Sequence, residues 1–158
     1  VTERSGRPGS VLLDETSRAI VAELQQDGRR PYASIAAAVG LSEAAVRVRV
    51  QRLVEAGAVQ IVAVTDPRQL GLARQAMLGV RVRGDASLAA QALAALPEVS
   101  YVVLTAGSFD LLVEVVCRSD EHLLEVVNSH IRTVPEVASL ETFLYLDLAK
   151  QTYTWGVT

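Results

Sequence analysis

The sequence predicts an α+β protein in which three short helices and a β-strand precede a β-α-β-β-α-β set. Three observations carry this. A Gly40-Leu41-Ser42 junction separates two helical patterns. From about residue 75 the rhythm changes to alternating, β-branched runs interrupted by two helical stretches. Two near-copies, Leu96-Pro97-Glu98-Val99 and Val134-Pro135-Glu136-Val137, each stand between a helix pattern and a strand pattern. They mark the second half as two βαβ halves in tandem.

The first helix begins at Asp14, with Leu13 as the apolar residue before the cap and Ile20, Val21 and Leu24 as its buried stripe. It ends near Asp27-Gly28. The second helix covers 33–39 and the third 43–56, closed by Gly57. Gly40 stands where a helix end needs positive φ, and Ser42 where the next helix needs an oxygen for its free N–H groups. In the third helix Val46, Val50, Leu53 and Val54 are expected on one face. A strand of β-branched residues follows at 59–64.

In the second half, 76–83 alternates as a strand. A helix opens at Gly84-Asp85 and runs through Leu88, Ala92 and Leu96 to Pro97. Strands are expected at 99–105 and 111–117, around a Gly107-Ser108-Phe109-Asp110 turn. A helix capped by Ser119 carries Leu123, Leu124, Val127 and Ile131 on one face, and 140–148 is the last strand. This order builds a ferredoxin-like sandwich, with two helices on one face of a four-stranded antiparallel sheet. Met77, Phe143 and Tyr145 have the opposite parity to Leu140, Leu144 and Leu146, so the other face is half apolar and argues for a partner subunit.

With 158 residues, half of them hydrophobic and 4% aromatic, the chain can build an aliphatic core in one large or two small domains. The divisions expected are a flexible N-terminus 1–11, a helical head 12–58, a linking strand and hinge 59–74, the βαββαβ domain 75–150, and a tail 151–158 with the single Trp155. No apolar run reaches the ~18 residues of a membrane span, and no targeting peptide is evident. One cysteine, Cys117, excludes an intramolecular disulfide and reads as a buried thiol. The chain therefore reads as cytoplasmic. His122 and Glu125, at i and i+3, offer two metal donors with no third. There is no phosphate loop, serine-nucleophile motif or cysteine pair, so neither catalysis nor a cofactor is expected.

The net charge of −3 conceals an asymmetry. Residues 1–60 carry net +1 and 61–158 net −4, and 29–52 hold five arginines against one acid, Glu43. A tight turn into a helix bearing Arg47, Arg49, Gln51 and Arg52 is a helix-turn-helix arrangement, whose second helix enters the DNA major groove. Ala44, Arg47, Val48 and Gln51 point away from the core face and are the candidates for base edges. Arg49 lies nearer the core stripe and is assigned to phosphate or to bracing the head. Arg52 joins the arginine group. Tyr32 and Ser34 open the helix that crosses the DNA backbone, and Ser42 is a cap first and a DNA contact second.

The chain resembles the Lrp/AsnC (feast/famine) transcription regulators over about residues 12–150. The resemblance rests on Leu13-Asp14-Glu15-Thr16 with Ile20, Leu24 through Arg29, Val39-Gly40-Leu41-Ser42, Val46, Arg49-Val50, Arg52-Leu53 and Gly57. Farther on it rests on Asp66-Pro67, Leu70-Gly71, 107–112 and Pro135-Glu136-Val137. Three departures stand out: Ser17 where the family usually has Asp, no Glu near Ile35-Ala36, and Ser-Phe at 108–109 where Asp-Tyr is common. The last alters the effector pocket. The resemblance implies a homodimer, often assembled into tetramers or octamers, with the 59–64 strand serving dimer pairing. It further implies a small effector, usually an amino acid, held between subunits by Gly107, Ser108 and Asp110. Thr142 is a further candidate on the last strand, although its parity matches Leu140 and Leu144. Two other functions stay open: a ligand-binding ferredoxin-like module without DNA specificity, and an architectural DNA-wrapping protein. The arginines of the third helix disfavour the first; one lysine and the net charge disfavour the second.

Overall fold

The computed structural model describes residues 13–152, so the expectations for 1–11 and for the Trp155 tail lie outside the described residues. The described chain divides into two compact units, one of residues 13–63 with 150–152 and the other spanning Val64–Ala149.

The first unit holds α1 (Glu15–Gln26), α2 (Tyr32–Val39) and α3 (Glu43–Glu55). Each boundary has a local cause. Asp14 caps α1 by accepting from Ser17 N at 2.7 Å. Gly40 ends α2 in the left-handed region at φ 69°, where a side chain would strain the backbone. Ser42 Oγ then accepts from Ala45 N at 3.2 Å and opens α3. Ile20, Leu24, Ile35, Ala36, Val46 and Val50 form the core, with Tyr32, Val39 and Leu41 packed at its margin. Val54, expected on the α3 stripe, is exposed. Eight residues advance a helix by about 80° past the starting direction, and Leu53 already closes that side.

The expected strand 59–64 forms no ladder within the described chain. A strand exists only through a hydrogen-bonded neighbour, and among the described residues no segment forms a ladder with this one. Ile61, Val62 and Val64 are consequently exposed, Val62 by 69%.

The second unit is a four-stranded sheet of β1 (Arg74–Val82), β2 (Val99–Leu104), β3 (Leu111–Cys117) and β4 (Val137–Leu144). The strand order is β2-β3-β1-β4, with every pair antiparallel. Helices α4 (Ala86–Ala94) and α5 (Asp120–Glu125) pack on one face. The core alternates along the strands: Ala76, Leu78 and Val80 from β1 lie level with Leu111, Val113, Val115 and Cys117 from β3, against Ala89, Ala90 and Leu93 of α4. Burial, with Glu98 nearby, pushes the Cys117 thiol above its ordinary pKa.

The repeated Leu/Val-Pro-Glu-Val units do equivalent work. Val99 N donates to Leu96 O, and Val137 N to Val134 O. The carbonyl of Glu98 accepts from Val116 and that of Glu136 from Arg83. Each unit turns the chain out of a helix and seats the next strand on an inner neighbour.

Helix faces are where periodicity misleads. Leu88 and Ala92 are exposed, and α4 buries Ala89, Ala90 and Leu93 instead. The small Ala89-Ala90 surface allows close approach to the sheet, which the larger Leu88 would hold off. Leu124 is also exposed, because α5 passes into a π-helical turn, Val126–Ile131, with Arg132 N bonded to Val127 O. The wider turn brings Val126, Val127 and Ile131 inward together.

Asp14 also joins α1 to α3. Its second oxygen accepts from Arg49 at 2.8 Å, and Arg49 reaches Ser17 Oγ at 3.3 Å. The Ser17 hydrogen bonds and the Arg49 guanidinium hold the Asp14 carboxyl at about 2. Because this pKa is depressed, the stabilisation is complete above the unfolded carboxylate range and is lost as pH falls towards the folded value. Asp14→Asn keeps the cap and removes the charge. The stability gap between wild type and D14N, followed by thermal unfolding, should be constant from neutral pH to about pH 4 and close by about pH 2. A gap that does not change with pH would show that the charge contributes nothing.

Candidate functional site

Helix α3 presents two faces. Val46, Val50 and Leu53 are buried, while Ala44, Arg47, Val48, Gln51 and Arg52 are exposed together. The capped turn before α3 fixes where its first residues emerge, which are the ones that meet base edges in this motif. Arg47 is held in place before any DNA arrives. Its guanidinium bonds Glu43 at 2.6 Å and lies 5.2 Å from the centre of the Tyr32 ring at the start of α2. Gln51 bonds Glu55 at 2.8 Å. Ser34 is exposed on α2, and Tyr32 is half-buried. Arg49 is drawn into the Asp14–Ser17 tie, which supports its bracing role. Sequence reasoning missed Glu43 as Arg47's partner, although an acid four residues before an arginine on a helix is a readable signal.

The 107–110 turn has its own architecture. Asp110 Oδ2 accepts from Val82 N at 2.8 Å, next to the register shift between Arg81 and Val82 where β1 pairs with β4. Asp110 N donates to Val80 O, and Thr105 N to Asp110 O. The carboxylate thus satisfies a backbone donor that the bulge frees. Arg81 was not anticipated. Its Nε donates to Ser108 O at 2.8 Å, its guanidinium lies 5.1 Å from the centre of the Phe109 ring, and Glu141 is 3.8 Å away. The hint in the sequence was parity, since Arg81 alternates with Val80 and Val82.

Phe109 lies across Gly79 and meets the edge of Phe143, with ring centres 6.0 Å apart. Gly79, Phe109 and Phe143 belong to the sheet face without helices, as do Met77, Leu112, Glu114 and Tyr101 by register. Glu114 is held there by Ser100 at 2.7 Å and Tyr145 at 3.0 Å; burial and this bond push the Tyr145 hydroxyl up to about 12. Thr142 pairs with Leu78 and so faces the helix side, away from Phe109. The structure therefore gathers Gly107, Ser108 and Asp110 with Arg81, and leaves Thr142 on the opposite face. His122, assigned no metal role, bonds Arg118 N through Nδ1 and lies 3.4 Å from Glu98. Among the described residues no helix is long and apolar enough to cross a membrane.

A capped Gly-Leu-Ser turn feeding an arginine-bearing, half-exposed helix defines a helix-turn-helix DNA-binding head, here on a chain with a βαββαβ second unit. Comparison with known proteins agrees. An AsnC-type helix-turn-helix model matches residues 13–54, and a C-terminal dimeric α+β-barrel domain model of AsnC-type regulators matches 81–158. The HTH-type transcriptional regulator FL11 of Pyrococcus horikoshii is 33% identical over 144 residues, spanning 90% of this chain and 95% of the relative. The regulatory protein AsnC of Escherichia coli is 30% identical over 138 residues, spanning 85% and 91%. The solved structure of E. coli AsnC superposes with a TM-score of 0.80 at 28% identity, covering 90% of this chain and 98% of that one. A Neisseria meningitidis transcriptional regulator solved with L-Met shares the fold at 24% identity and a TM-score of 0.81, covering 92% and 97%. The chain belongs to the Lrp/AsnC family of helix-turn-helix transcription regulators.

The Phe109–Gly79 contact is open to test. A Cβ on residue 79 would lie 2.7 Å from the Phe109 ring. Gly79→Ala should lower stability by about 1–3 kcal/mol through overpacking. In the Phe109→Ala background the same change should cost far less, as read by a double-mutant cycle from chemical denaturation. Additive effects would remove Phe109 from Gly79 in solution.

Proposed function

We propose that this chain acts in the cytoplasm as a homodimer, with dimers assembling further, that reads a two-fold symmetric operator and answers to a free amino acid or close relative. The observation that carries the DNA half is the exposed α3 face, where Arg47, Val48 and Gln51 stand together behind a capped turn. Arg47 reads guanine through O6 and N7, Val48 touches a thymine methyl, Gln51 and Ala44 complete the reading surface, and Arg52, Tyr32, Ser34 and Ser42 serve phosphates. The apolar sheet face around Met77 and Phe143 and the unpaired 59–64 segment support self-association.

One reading helix per subunit sets half-sites one or more helical turns apart. Affinity should fall steeply with salt, because each neutralised phosphate releases counterions. Arg47→Ala should weaken operator binding about tenfold or more while leaving binding to random DNA nearly unchanged. Equal loss on both, measured by fluorescence anisotropy, would make Arg47 a phosphate ligand.

The effector half rests on the 107–110 turn. Gly107 and Ser108 are exposed there, and Arg81, Asp110 and Glu141 place both signs of charge around them. An amino acid carries one carboxylate and one ammonium, and each charge-assisted bond is worth roughly 1.5–3 kcal/mol. A few such bonds suit micromolar to millimolar sensing. The ligand must also favour one assembly over another, or it shifts nothing. Thermal-shift screening of the common amino acids, with sedimentation of the hits, should find one that stabilises the wild type and changes its assembly. Asp110→Asn keeps an oxygen for Val82 N and removes the charge. It should abolish that response while DNA binding without ligand persists. If no amino acid stabilises the wild type, or D110N responds as wild type does, the turn has no effector role.

A further inference from the structure

Glu43 is the single acid between residues 29 and 52, and it stands at the first position of the reading helix. Its side chain is 50% exposed and its carboxylate is bonded to Arg47, itself 61% exposed. A carboxylate on a surface that approaches phosphates is repelled by them, so its presence there needs a return. As a lone i,i+4 pair it would steady the helix only slightly. Three features of its placement say more. The N-terminal end of a reading helix is the part that meets base edges. The Tyr32 ring lies 5.2 Å from the Arg47 guanidinium, so two neighbours, Glu43 and Tyr32, hold the arginine. And a carboxylate is an acceptor only, which in the major groove matches the N4 amino group of cytosine, as the arginine fork matches O6 and N7 of guanine.

We propose that Glu43 is a specificity-determining residue. It accepts from the N4 amino group of a cytosine beside the guanine read by Arg47, and on DNA without that pair of bases it keeps Arg47 from serving as a phosphate ligand. The inference rests on the DNA reading above. On site-free DNA Arg47 stays neutralised by Glu43, and moving it to a phosphate leaves the carboxylate facing a like charge. At the right sequence both charges find base partners at once. One ion pair thereby weakens the wrong complex and shapes the right one.

The test is selection from a randomised duplex library with the full-length wild type, Glu43→Gln and Glu43→Ala, with circular dichroism melts to confirm that both variants fold. The wild type should enrich a guanine and a neighbouring cytosine in each half-site. Glu43→Ala should lose the cytosine preference about fivefold or more and keep the guanine. Glu43→Gln should move the preference towards adenine, which glutamine reads. Both variants should bind site-free DNA about three- to tenfold more tightly, with a salt dependence steeper by about one unit per subunit, as one more arginine neutralises a phosphate. An unchanged cytosine preference, or an unchanged affinity for site-free DNA, overturns the proposal and leaves the DNA reading standing. A wild type that enriches no common sequence overturns both.

Discussion

A four-stranded sheet has two faces, and this chain has helices for only one of them. The second unit follows from that constraint. Ala76, Leu78, Val80, Val113 and Val115 are buried by α4 and the α5–π segment. Gly79, Met77, Leu112 and Phe143, one residue out of phase, are not. On that open face the chain covers what it can with its own loop: Phe109 lies over Gly79, Arg81 over Phe109, and Tyr145 and Ser100 hold Glu114. The proposed effector turn is thus part of a partial cover. Any change at 107–110 therefore acts on the open sheet face as well as on the turn itself.

The head meets the same problem with a polar tie. Three short helices bury few side chains, so the angle of α3 needs more than Val46 and Val50 to hold it. Asp14 caps α1 and receives Arg49 from α3, linking the start of one helix to the middle of another. Where the family usually has Asp, this chain has Ser17, and its hydroxyl takes a secondary bond from Arg49. The charge of Arg49 therefore falls on Asp14. Arg47, two residues nearer the start of α3, is placed by Glu43 and Tyr32 instead. Two arginines two residues apart thus have different surroundings: Arg49 ties α3 to α1, and Arg47 stands on the exposed face beside Glu43 and Tyr32.

Pairing in sequence and burial in space are separate facts, and the helices show it. In α4 the Leu88–Ala92 pair and the Ala89-Ala90-Leu93 set are both helical faces. The choice between them was made by the sheet, which accepts the flatter alanine surface. In α5 a π turn rotates the face so that Val126 enters the core and Leu124 leaves it, and no 3.6-residue template contains that rotation.

By itself the sequence determined everything that depends on near neighbours along the chain. The Asp14, Ser42, Asp85 and Ser119 caps, the Gly40 turn, and the matched turns after Leu96 and Val134 follow from bonds spanning five residues or fewer, and the βαββαβ order was legible from the local alternation of apolar residues. The family motifs were legible for the same reason, since turns and caps are fixed-spacing features. Only the tertiary structure decided what depends on residues far apart: Arg49 on Asp14, Arg81 over Phe109, Asp110 on Val82 N, and Thr142 turned away from the 107–110 turn. These pairings join residues 28 or more apart; the first depends on how α1 packs against α3, the others on strand register, which the sequence states only as parity. Segment 59–64 marks the boundary between the two. Its composition specifies a strand, but a ladder needs a neighbour, and none of the described residues supplies one.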